Sequence, residues 1–312
     1  MSIEQILNSA KFGNAEAQNK MGIIYVKAED QSESGQEAFG WFQKSALQGL
    51  AVAQFNLGAC FYNGFGVEEN LTEACRWFAL SAGGGCSDAQ FEIGRCYCYG
   101  LGVTEDFKRG YKWLVAAGNI GHAHAQHLVG KCFFQGDKVD LDYSKAVYWY
   151  RKAADQGFAE AQRDLAICYL NGFGVKEDKS QAAYFYRESA FQGYAAAQYD
   201  FGWCMVAGIG VKQDKIQGVS WWRKAAEQNF IDAQLDMGKA YEKGLGLTQS
   251  YKESLFWYLV AAANGNKEAK ENMVPVFGEV SAEDHNVVSE RASIFVGLSS
   301  LNLKHRKVQF LN

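Results

Sequence analysis

The chain has 312 residues, and its 31 Lys and Arg against 35 Asp and Glu give a formal net charge of −4. This slightly acidic balance argues against nucleic acid as the main partner, because nucleic-acid-binding domains usually carry a basic face. No apolar run approaches the ~20 residues that a membrane-spanning helix needs, so we expect no membrane partner either.

A short amphipathic helix is predicted at the start of the chain. Its apolar residues recur at helical spacing, at Ile3, Ile6, Leu7 and Ala10. Ser2 and Gln5 form a capping-box pattern, and Gly13 is typical of the residue that ends a helix. Because the end of a repeat stack needs a cover, we interpret residues 1–13 as an N-terminal capping half-repeat.

The dipeptide Ala-Gln then recurs every 36 residues. Its alanines are Ala17, Ala53, Ala89, Ala125, Ala161, Ala197 and Ala233. A fixed period of this length is typical of stacked repeats, in which each repeat contacts only its neighbours. We therefore predict seven repeats over residues 14–266.

Each repeat contains a predicted helix, helix B, with cap residues at both ends. Preferred N-cap residues stand at Ser34, Asn70, Asp106, Asp142, Asp178, Asp214 and Ser250. Three positions later, capping boxes are predicted by Glu37, Glu73, Gln181, Gln217 and Glu253. Residues that tolerate a left-handed conformation end the helix, at Gly49, Gly85, Gly121, Gly157, Gly193, Asn229 and Gly265.

Helix A precedes helix B in each repeat and ends in a turn with two glycines one residue apart. The turn reads Asn-Gly-Phe-Gly-Val at residues 63–67, and similar turns follow at 99–103, 171–175, 207–211 and 243–247. The turn at 135–139 keeps one glycine, and the first repeat has none. Such glycine pairs break a helix and reverse the chain. Since no strand-like alternation appears, the predicted fold class is all-α.

Large and small side chains recur on helix B at helical spacing. The large column contains Trp41, Trp77, Trp113, Trp149, Phe185, Trp221 and Trp257, and the small column contains Ala46, Ala82, Gly118, Ala154, Ala190, Ala226 and Ala262. This alternation is typical of interlocking packing between adjacent helices.

The repeated pattern resembles the Sel-one-like repeat, a relative of the tetratricopeptide repeat. In the second repeat the matching residues are Leu57, Gly58, Tyr62, Gly64, Gly66, Val67, Asn70, Ala74, Trp77, Ala82 and Gly85. The resemblance covers about residues 15–265 and implies a right-handed α-solenoid superhelix that binds proteins or peptides on its concave side. It implies no shared catalytic residues. Relatives include adaptors, secreted effectors and immunity proteins against bacterial toxins.

Residues 267–312 are predicted to form C-terminal capping helices and a tail. A shortened helix A is expected to run to Val274 and to stop at Pro275. Ser281 with Asp284 is typical of a helix start, and a further helix is expected to about Leu298. The basic run Lys304–Lys307 is interpreted as a solvated tail rather than a nucleic-acid patch.

Five of the eight cysteines share one column of the repeat, at Cys60, Cys96, Cys132, Cys168 and Cys204. Neighbouring repeats stack about 9–10 Å apart, which exceeds the ~4.4–6.8 Å Cα separation that a disulfide requires. The first residues also lack the basic region and the apolar run of a signal peptide. We therefore expect reduced thiols and a cytoplasmic protein.

No pattern in the chain predicts catalysis, a cofactor or a metal. The glycine pairs recur with the repeats, which indicates turns rather than a nucleotide-binding loop. His122, His124 and His127 lie close together, but no further ligand with the usual spacing follows them. We interpret them as polar residues on an exposed helix start, so the expected function is not enzymatic.

The side of helix A that faces away from its core residues predicts a binding surface. At ~100° per residue, the columns of Phe55, Ala59 and Tyr62 point outward. The predicted partner-binding residues in these columns are Phe55, Tyr62, Phe91, Arg95, His127, Lys131, Phe134, Arg163, Ile167, Leu170, Tyr199, Trp203 and Val206. Exposed apolar residues with Tyr, Trp and Arg are typical of protein-binding hot spots. The alternative is that neighbouring repeats bury part of this stripe.

An acidic ridge is predicted beside these columns, and its members Glu92, Asp164, Asp200 and Asp236 are included among the predicted binding residues. A partner with basic groups beside an apolar segment would match both features. Three functions remain open from the sequence. The first is a cytoplasmic scaffold that binds a protein or peptide. The second is an immunity protein that sequesters a bacterial toxin or effector, or, as a sub-case, a protein that is itself a secreted effector. The third is an enzyme, which no feature of the sequence supports.

Overall fold

The computed structural model describes residues 2–28, 31–300 and 308–312, without the side chains of 31–33 and 298–300. Seventeen helices and no strand lie in these ranges: α1 Ile3–Lys11, α2 Ala15–Val26, α3 Gln31–Ala46, α4 Ala51–Asn63, α5 Leu71–Gly83, α6 Ser87–Tyr99, α7 Phe107–Asn119, α8 Ala123–Gln135, α9 Tyr143–Ala154, α10 Ala159–Asn171, α11 Lys179–Phe191, α12 Ala195–Ala207, α13 Lys215–Glu227, α14 Ile231–Lys243, α15 Tyr251–Ala263, α16 Lys267–Phe277 and α17 Ala282–Ser300. The predicted all-α class and the helix pair in each repeat are confirmed.

The predicted caps define helix B in six of the seven repeats. The side chains of these six cap residues each accept a hydrogen bond from the backbone N–H three residues later, at Asn70, Asp106, Asp142, Asp178, Asp214 and Ser250. The prediction is wrong for Ser34, because α3 begins at Gln31 and Ser34 lies inside its first turn. The first repeat lacks the glycine pair that precedes the cap elsewhere.

The residues predicted to end helix B adopt the left-handed conformation. Positive φ angles occur at Gly49, Gly85, Gly121, Gly157, Gly193, Asn229 and Gly265. Asn229, at φ 66°, is the one non-glycine residue with positive φ in the described ranges. Its place in this column is explained by the tolerance of Asn for this conformation.

The Ala-Gln period has a structural cause at the start of helix A. The glutamine side chain donates a hydrogen bond to the carbonyl oxygen eight residues earlier, near the end of the preceding helix. These bonds span 2.9–3.4 Å and involve Gln18, Gln54, Gln126, Gln162, Gln198 and Gln234. The alanine beside each glutamine is buried. The dipeptide therefore fixes how the chain turns from one repeat into the next.

The second glycine of the inter-helix turn allows a close backbone contact between repeats. A Cβ atom at Gly66 would overlap the carbonyl of Gly35, and one at Gly210 would overlap the carbonyl of Lys179. In the fourth repeat this position holds Lys138, whose ammonium lies 5.1 Å from the centroid of the Phe107 ring. The described residues group into two compact units, and the boundary follows this altered turn. Unit 1 contains the described residues up to 141 together with 308–312, and unit 2 contains residues 142–300.

In the core of each unit, aromatic side chains of helix B pack directly against glycines of helix A. In unit 1, the ring of Phe42 fills the space beside Gly22 and that of Phe78 the space beside Gly58. In unit 2, Tyr258 occupies the space beside Gly238 in the same way. All eight cysteines are free thiols, as predicted, and four of the five in the shared column are buried.

The C-terminal helices differ from the prediction at one proline. Pro275 lies inside α16, which continues to Phe277 rather than stopping at Val274. A proline near the end of a helix removes only one backbone donor, so the last turn can close around it. The helix start is confirmed, because the Ser281 hydroxyl accepts a hydrogen bond from the N–H of Asp284. The Lys304–Lys307 run lies outside the described residues.

Candidate functional site

The first outward column of helix A is largely buried. Phe55 is 2% exposed and Phe91 is 3% exposed, so the expectation that these two rings are accessible to a partner is wrong. The ring of Phe55 packs against Phe78 of the next helix, with ring centroids 5.4 Å apart. The other predicted members of this column, His127, Arg163 and Tyr199, are half-buried. Because Phe78 lies on α5, helix B of the same repeat, the ring of Phe55 is covered from within its own repeat.

The middle column is the most accessible of the three. Trp203 on α12 is 41% exposed and Lys131 on α8 is exposed, whereas Arg95 and Ile167 are half-buried. Since Trp is among the residue types most often buried on average, an open Trp in this column stands out. The third column, formed by Tyr62, Phe134, Leu170 and Val206, is half-buried throughout.

The acidic ridge is made of paired groups rather than free charges. Glu92 is 6% exposed, and its carboxylate accepts a hydrogen bond from the Arg95 guanidinium at 2.6 Å. The carboxylate of Asp200 pairs with Arg163 at 2.6 Å. Asp236 accepts a hydrogen bond from the Tyr199 hydroxyl at 2.8 Å. Asp164 is half-buried. The expectation of an open acidic surface is therefore wrong for Glu92, Asp200 and Asp236.

Burial sets the electrostatics of this network. It raises the pKa of Asp200, and the Arg163 guanidinium opposes that rise. It also raises the pKa of the Tyr199 phenol, and the negative charge of Asp236 adds to the effect. A neutral phenol beside a carboxylate remains a hydrogen-bond donor at neutral pH. These groups are thus suited to holding helices together rather than to proton transfer.

Successive A helices are joined by hydrogen bonds between side chains 37 residues apart. In unit 2 these are Arg163 with Asp200 and Tyr199 with Asp236. In unit 1 the Asn56 amide donates to the Asn19 side-chain oxygen at 2.9 Å. The same two columns therefore carry one ion pair and one phenol–carboxylate hydrogen bond in unit 2, and an amide pair in unit 1.

The structure reveals an occupied surface that the sequence analysis missed. Residues 308–312 belong to unit 1 and lie against α4. The Asn63 amide binds both the N–H and the C=O of Val308, at 2.9 and 2.7 Å. The Asn56 amide binds the N–H and the C=O of Leu311, both at 2.7 Å. We refer to Asn56 and Asn63 as the asparagine clamp.

Two aromatic contacts and a further hydrogen bond also hold residues 308–312 in place. The ring of Phe310 stacks on Phe42 at 5.7 Å between centroids and lies 5.4 Å from the ring of Phe65. The Lys27 ammonium also donates to the Asn312 side chain at 3.3 Å. One sequence signal could have indicated this site, because α4 alone among the seven A helices carries Asn at both clamp positions.

The histidines form a structural contact. His122 caps α8, since its Nδ1 accepts a hydrogen bond from the Ala125 N–H at 3.2 Å. Its Nε2 lies 3.5 Å from the Asp88 carboxylate, and the pKa of Asp88 is held below its usual range mainly by this hydrogen bond. Across the described ranges, no group of three or more His, Cys, Asp or Glu side chains could hold a metal ion. None of the described helices has the length and apolar character needed to cross a membrane.

Comparisons with known proteins identify the repeat. The Sel1 repeat profile matches seven consecutive segments, 15–50, 51–86, 87–122, 123–158, 159–194, 195–230 and 231–266. No curated protein matches the chain. The structure of a Sel1 repeat protein from Oxalobacter formigenes has a TM-score of 0.67 and 29% identity, covering 96% of this chain and 90% of that one.

Two further solved structures are similar to this chain. A protective antigen from uropathogenic Escherichia coli with an SLR fold has a TM-score of 0.57 and 26% identity, covering 99% of this chain and 76% of that one. Immunity protein Pa5087 from Pseudomonas aeruginosa has a TM-score of 0.44 and 16% identity, covering 68% of this chain and 81% of that one. Sel1 repeats generally mediate protein–protein interaction. With seven matches over residues 15–266, the chain belongs to the Sel1 repeat family.

Proposed function

We propose that this protein is a non-catalytic scaffold that binds a protein or peptide partner on the outward face of its A helices. The observation that carries the proposal is the open indole of Trp203 in the middle column of α12. At 41% exposure the indole leaves apolar surface in water that a partner could cover, and Trp is enriched among residues that anchor protein interfaces.

The surroundings of Trp203 support an anchor on a rigid base. One turn before it, Asp200 is tied to Arg163 of α10, so the two helices are joined at that level. Ile167 and Leu170 of α10 are half-buried, and they follow the tied Arg163 by one and two turns. An apolar segment of a partner could therefore bury Trp203 and the edges of these side chains without reordering the helices.

The paired acids change the expected partner. Because Asp200 and Asp236 already have partners within unit 2, basic flanks are not needed to match this surface. An apolar or aromatic segment is the better match. The free cysteines fit a reducing compartment such as the cytoplasm.

The test is a capture experiment with two matched variants. The full chain, Trp203→Ala and Tyr184→Ala are immobilised and exposed to lysate of the source organism. Tyr184 is the control because it is a similarly exposed aromatic, at 46%, on helix B of the same unit. A protein retained by the wild type and by Tyr184→Ala, but lost with Trp203→Ala, supports the proposal. Retention by all three, or equal loss from both variants, contradicts it.

A further inference from the structure

Residues 308–312 cover a surface of α4 in unit 1 that is separate from Trp203. We propose that the asparagine clamp of α4 binds an extended partner segment of the pattern apolar–any–aromatic–apolar, and that residues 308–311 occupy it as a built-in competitor. The proposal goes beyond the scaffold function, because it names a separate site, the chemistry of its ligand and a means of regulation.

The spacing of the clamp matches an extended peptide. Asn56 and Asn63 are seven residues apart on one helix, which at 1.5 Å per residue is about 10 Å along the axis. Val308 and Leu311 are three residues apart, which is also about 10 Å in an extended chain. The two amides can therefore bind the backbone of two residues that lie three positions apart in an extended segment.

Side chains add selectivity to this backbone recognition. Val308 is 6% exposed and packs with the core side chains of α4 and α5. Phe310 fits between the rings of Phe42 and Phe65, whereas Gln309 is exposed. Apolar contacts thus select the side chains at positions 308, 310 and 311 of the segment. The side chain at position 309 is not selected.

The clamp is a local feature of the second repeat. At the equivalent positions the other A helices carry Lys20 and Lys27, Glu92 and Tyr99, Leu128 and Gln135, Asp164 and Asn171, Asp200 and Ala207, and Asp236 and Lys243. Asn171, the one equivalent asparagine, donates its amide to the carbonyl oxygen of Ile167 within its own helix. The period of the repeat therefore does not account for the clamp, whereas peptide binding does.

Occupation by the chain's own residues makes the site competitive. Residues 308–312 are tethered to the rest of the chain, so they rebind at an effective concentration set by the tether. The contacts that hold them are four hydrogen bonds to the two clamp amides, one hydrogen bond from Lys27 to Asn312, and a small set of apolar contacts. A free segment with the same pattern must displace these contacts, and a variant that weakens them should expose the clamp.

The experiment measures binding of a free copy of the segment to the full chain. The probe is the peptide Val-Gln-Phe-Leu-Asn, fluorescently labelled at its start and amidated at its end, titrated by fluorescence anisotropy. Phe310→Ala should bind the probe at least about tenfold more tightly than the wild type, because the tethered competitor is weakened. A probe with Ala in place of Phe should bind Phe310→Ala at least about tenfold more weakly.

A second substitution tests the clamp within Phe310→Ala. Adding Asn63→Ala should weaken probe binding by about fivefold or more, whereas adding Asn171→Ala should leave it unchanged. Asn63 is chosen over the fully buried Asn56 to spare the fold, which circular dichroism verifies. The proposal is overturned if Phe310→Ala binds the probe no better than the wild type, or if Asn63→Ala and Asn171→Ala act alike. A wild-type dimer that Phe310→Ala abolishes would assign the site to a second copy and overturn it as well.

Discussion

Helices α4 and α12 occupy the same place in their repeats but present different surfaces. Their buried columns agree, since Leu57 of α4 corresponds to Phe201 of α12 and a free buried cysteine follows in both. Their outward columns do not agree. On α4 the clamp is covered by residues 308–312, whereas on α12 the indole of Trp203 is open.

This contrast separates what the repeat must keep from what it can change. The glutamine bond, the left-handed glycine and the close backbone turn recur because each repeat must dock on its neighbour in the same way. The outward side chains also make contacts between repeats, such as Arg163 with Asp200, but the residues that make them change along the chain. These side chains can therefore differ from repeat to repeat. Function in a protein of this kind is expected in the columns that break the period.

The largest expected effect is a difference between one tryptophan of the repeat core and one tryptophan of an outward column. Trp257 is 4% exposed in the core of unit 2, so Trp257→Ala should lower the free energy of unfolding by about 3–5 kcal/mol. Trp203→Ala should lower it by less than about 1 kcal/mol, because the indole is already partly in water. Urea unfolding followed by circular dichroism measures both. Equal losses would mean that Trp203 is a packing residue and not an anchor.

A smaller effect is expected at two glycines of unit 2 that both have positive φ. Gly210, at φ 68°, also touches the backbone of Lys179, whereas Gly193, at φ 89°, has open space beside it. Gly210→Ala should therefore cost more than about 2 kcal/mol, and Gly193→Ala about 1 kcal/mol, since it adds only backbone strain. Thermal unfolding of the two variants makes the comparison. If their melting temperatures fall equally, the close turn does not hold adjacent repeats together.

The smallest expected effect concerns two acids whose pKa values shift in opposite directions. The pKa of Asp88 is lowered by its hydrogen bond with His122, so its contribution is present at neutral pH and lost as pH falls below about 3.8. The pKa of Asp200 is raised by burial, so stability declines as pH rises from about 3.8 through its folded value.

Replacement by asparagine should expose this difference. Asp88→Asn should lower stability at pH 7 by less than about 1 kcal/mol, because the pair is partly exposed, and should have no effect under strongly acidic conditions. The free energy of unfolding of Asp200→Asn should be no lower at pH 7 than at acidic pH. Urea unfolding at several pH values checks both variants, and matching pH profiles would show that the two acids have the same environment.

Most of the fold could be predicted from the sequence because each repeat repeats the same local chemistry. Six N-caps, seven left-handed helix ends and the helix pairs follow from residues that act within a few positions of each other. The prediction is wrong for the N-cap at Ser34 and for the helix end at Pro275, which lie near the two ends of the repeat array, where the pattern lacks a turn or is cut short.

The candidate site was predictable only in part. The angle of a column around helix A correctly marked Trp203 as exposed, but it could not show that Phe78 of the next helix covers Phe55. The pairs formed by Asp200 and Asp236 span 37 residues and depend on the stacking geometry. The hydrogen bond between the Leu311 N–H and the Asn56 side chain joins residues 255 apart, and the 36-residue period does not connect them.

The central claim is that an outward column of helix A, not the repeat core, binds the partner. Its most direct test is the dissociation constant of the captured partner, measured by isothermal titration calorimetry for the wild type, Trp203→Ala and Tyr184→Ala. We expect Trp203→Ala to weaken binding by about 2 kcal/mol, or roughly 30-fold, and Tyr184→Ala to change it by less than about twofold. Unchanged binding by Trp203→Ala, or an equal loss in both variants, would contradict the claim.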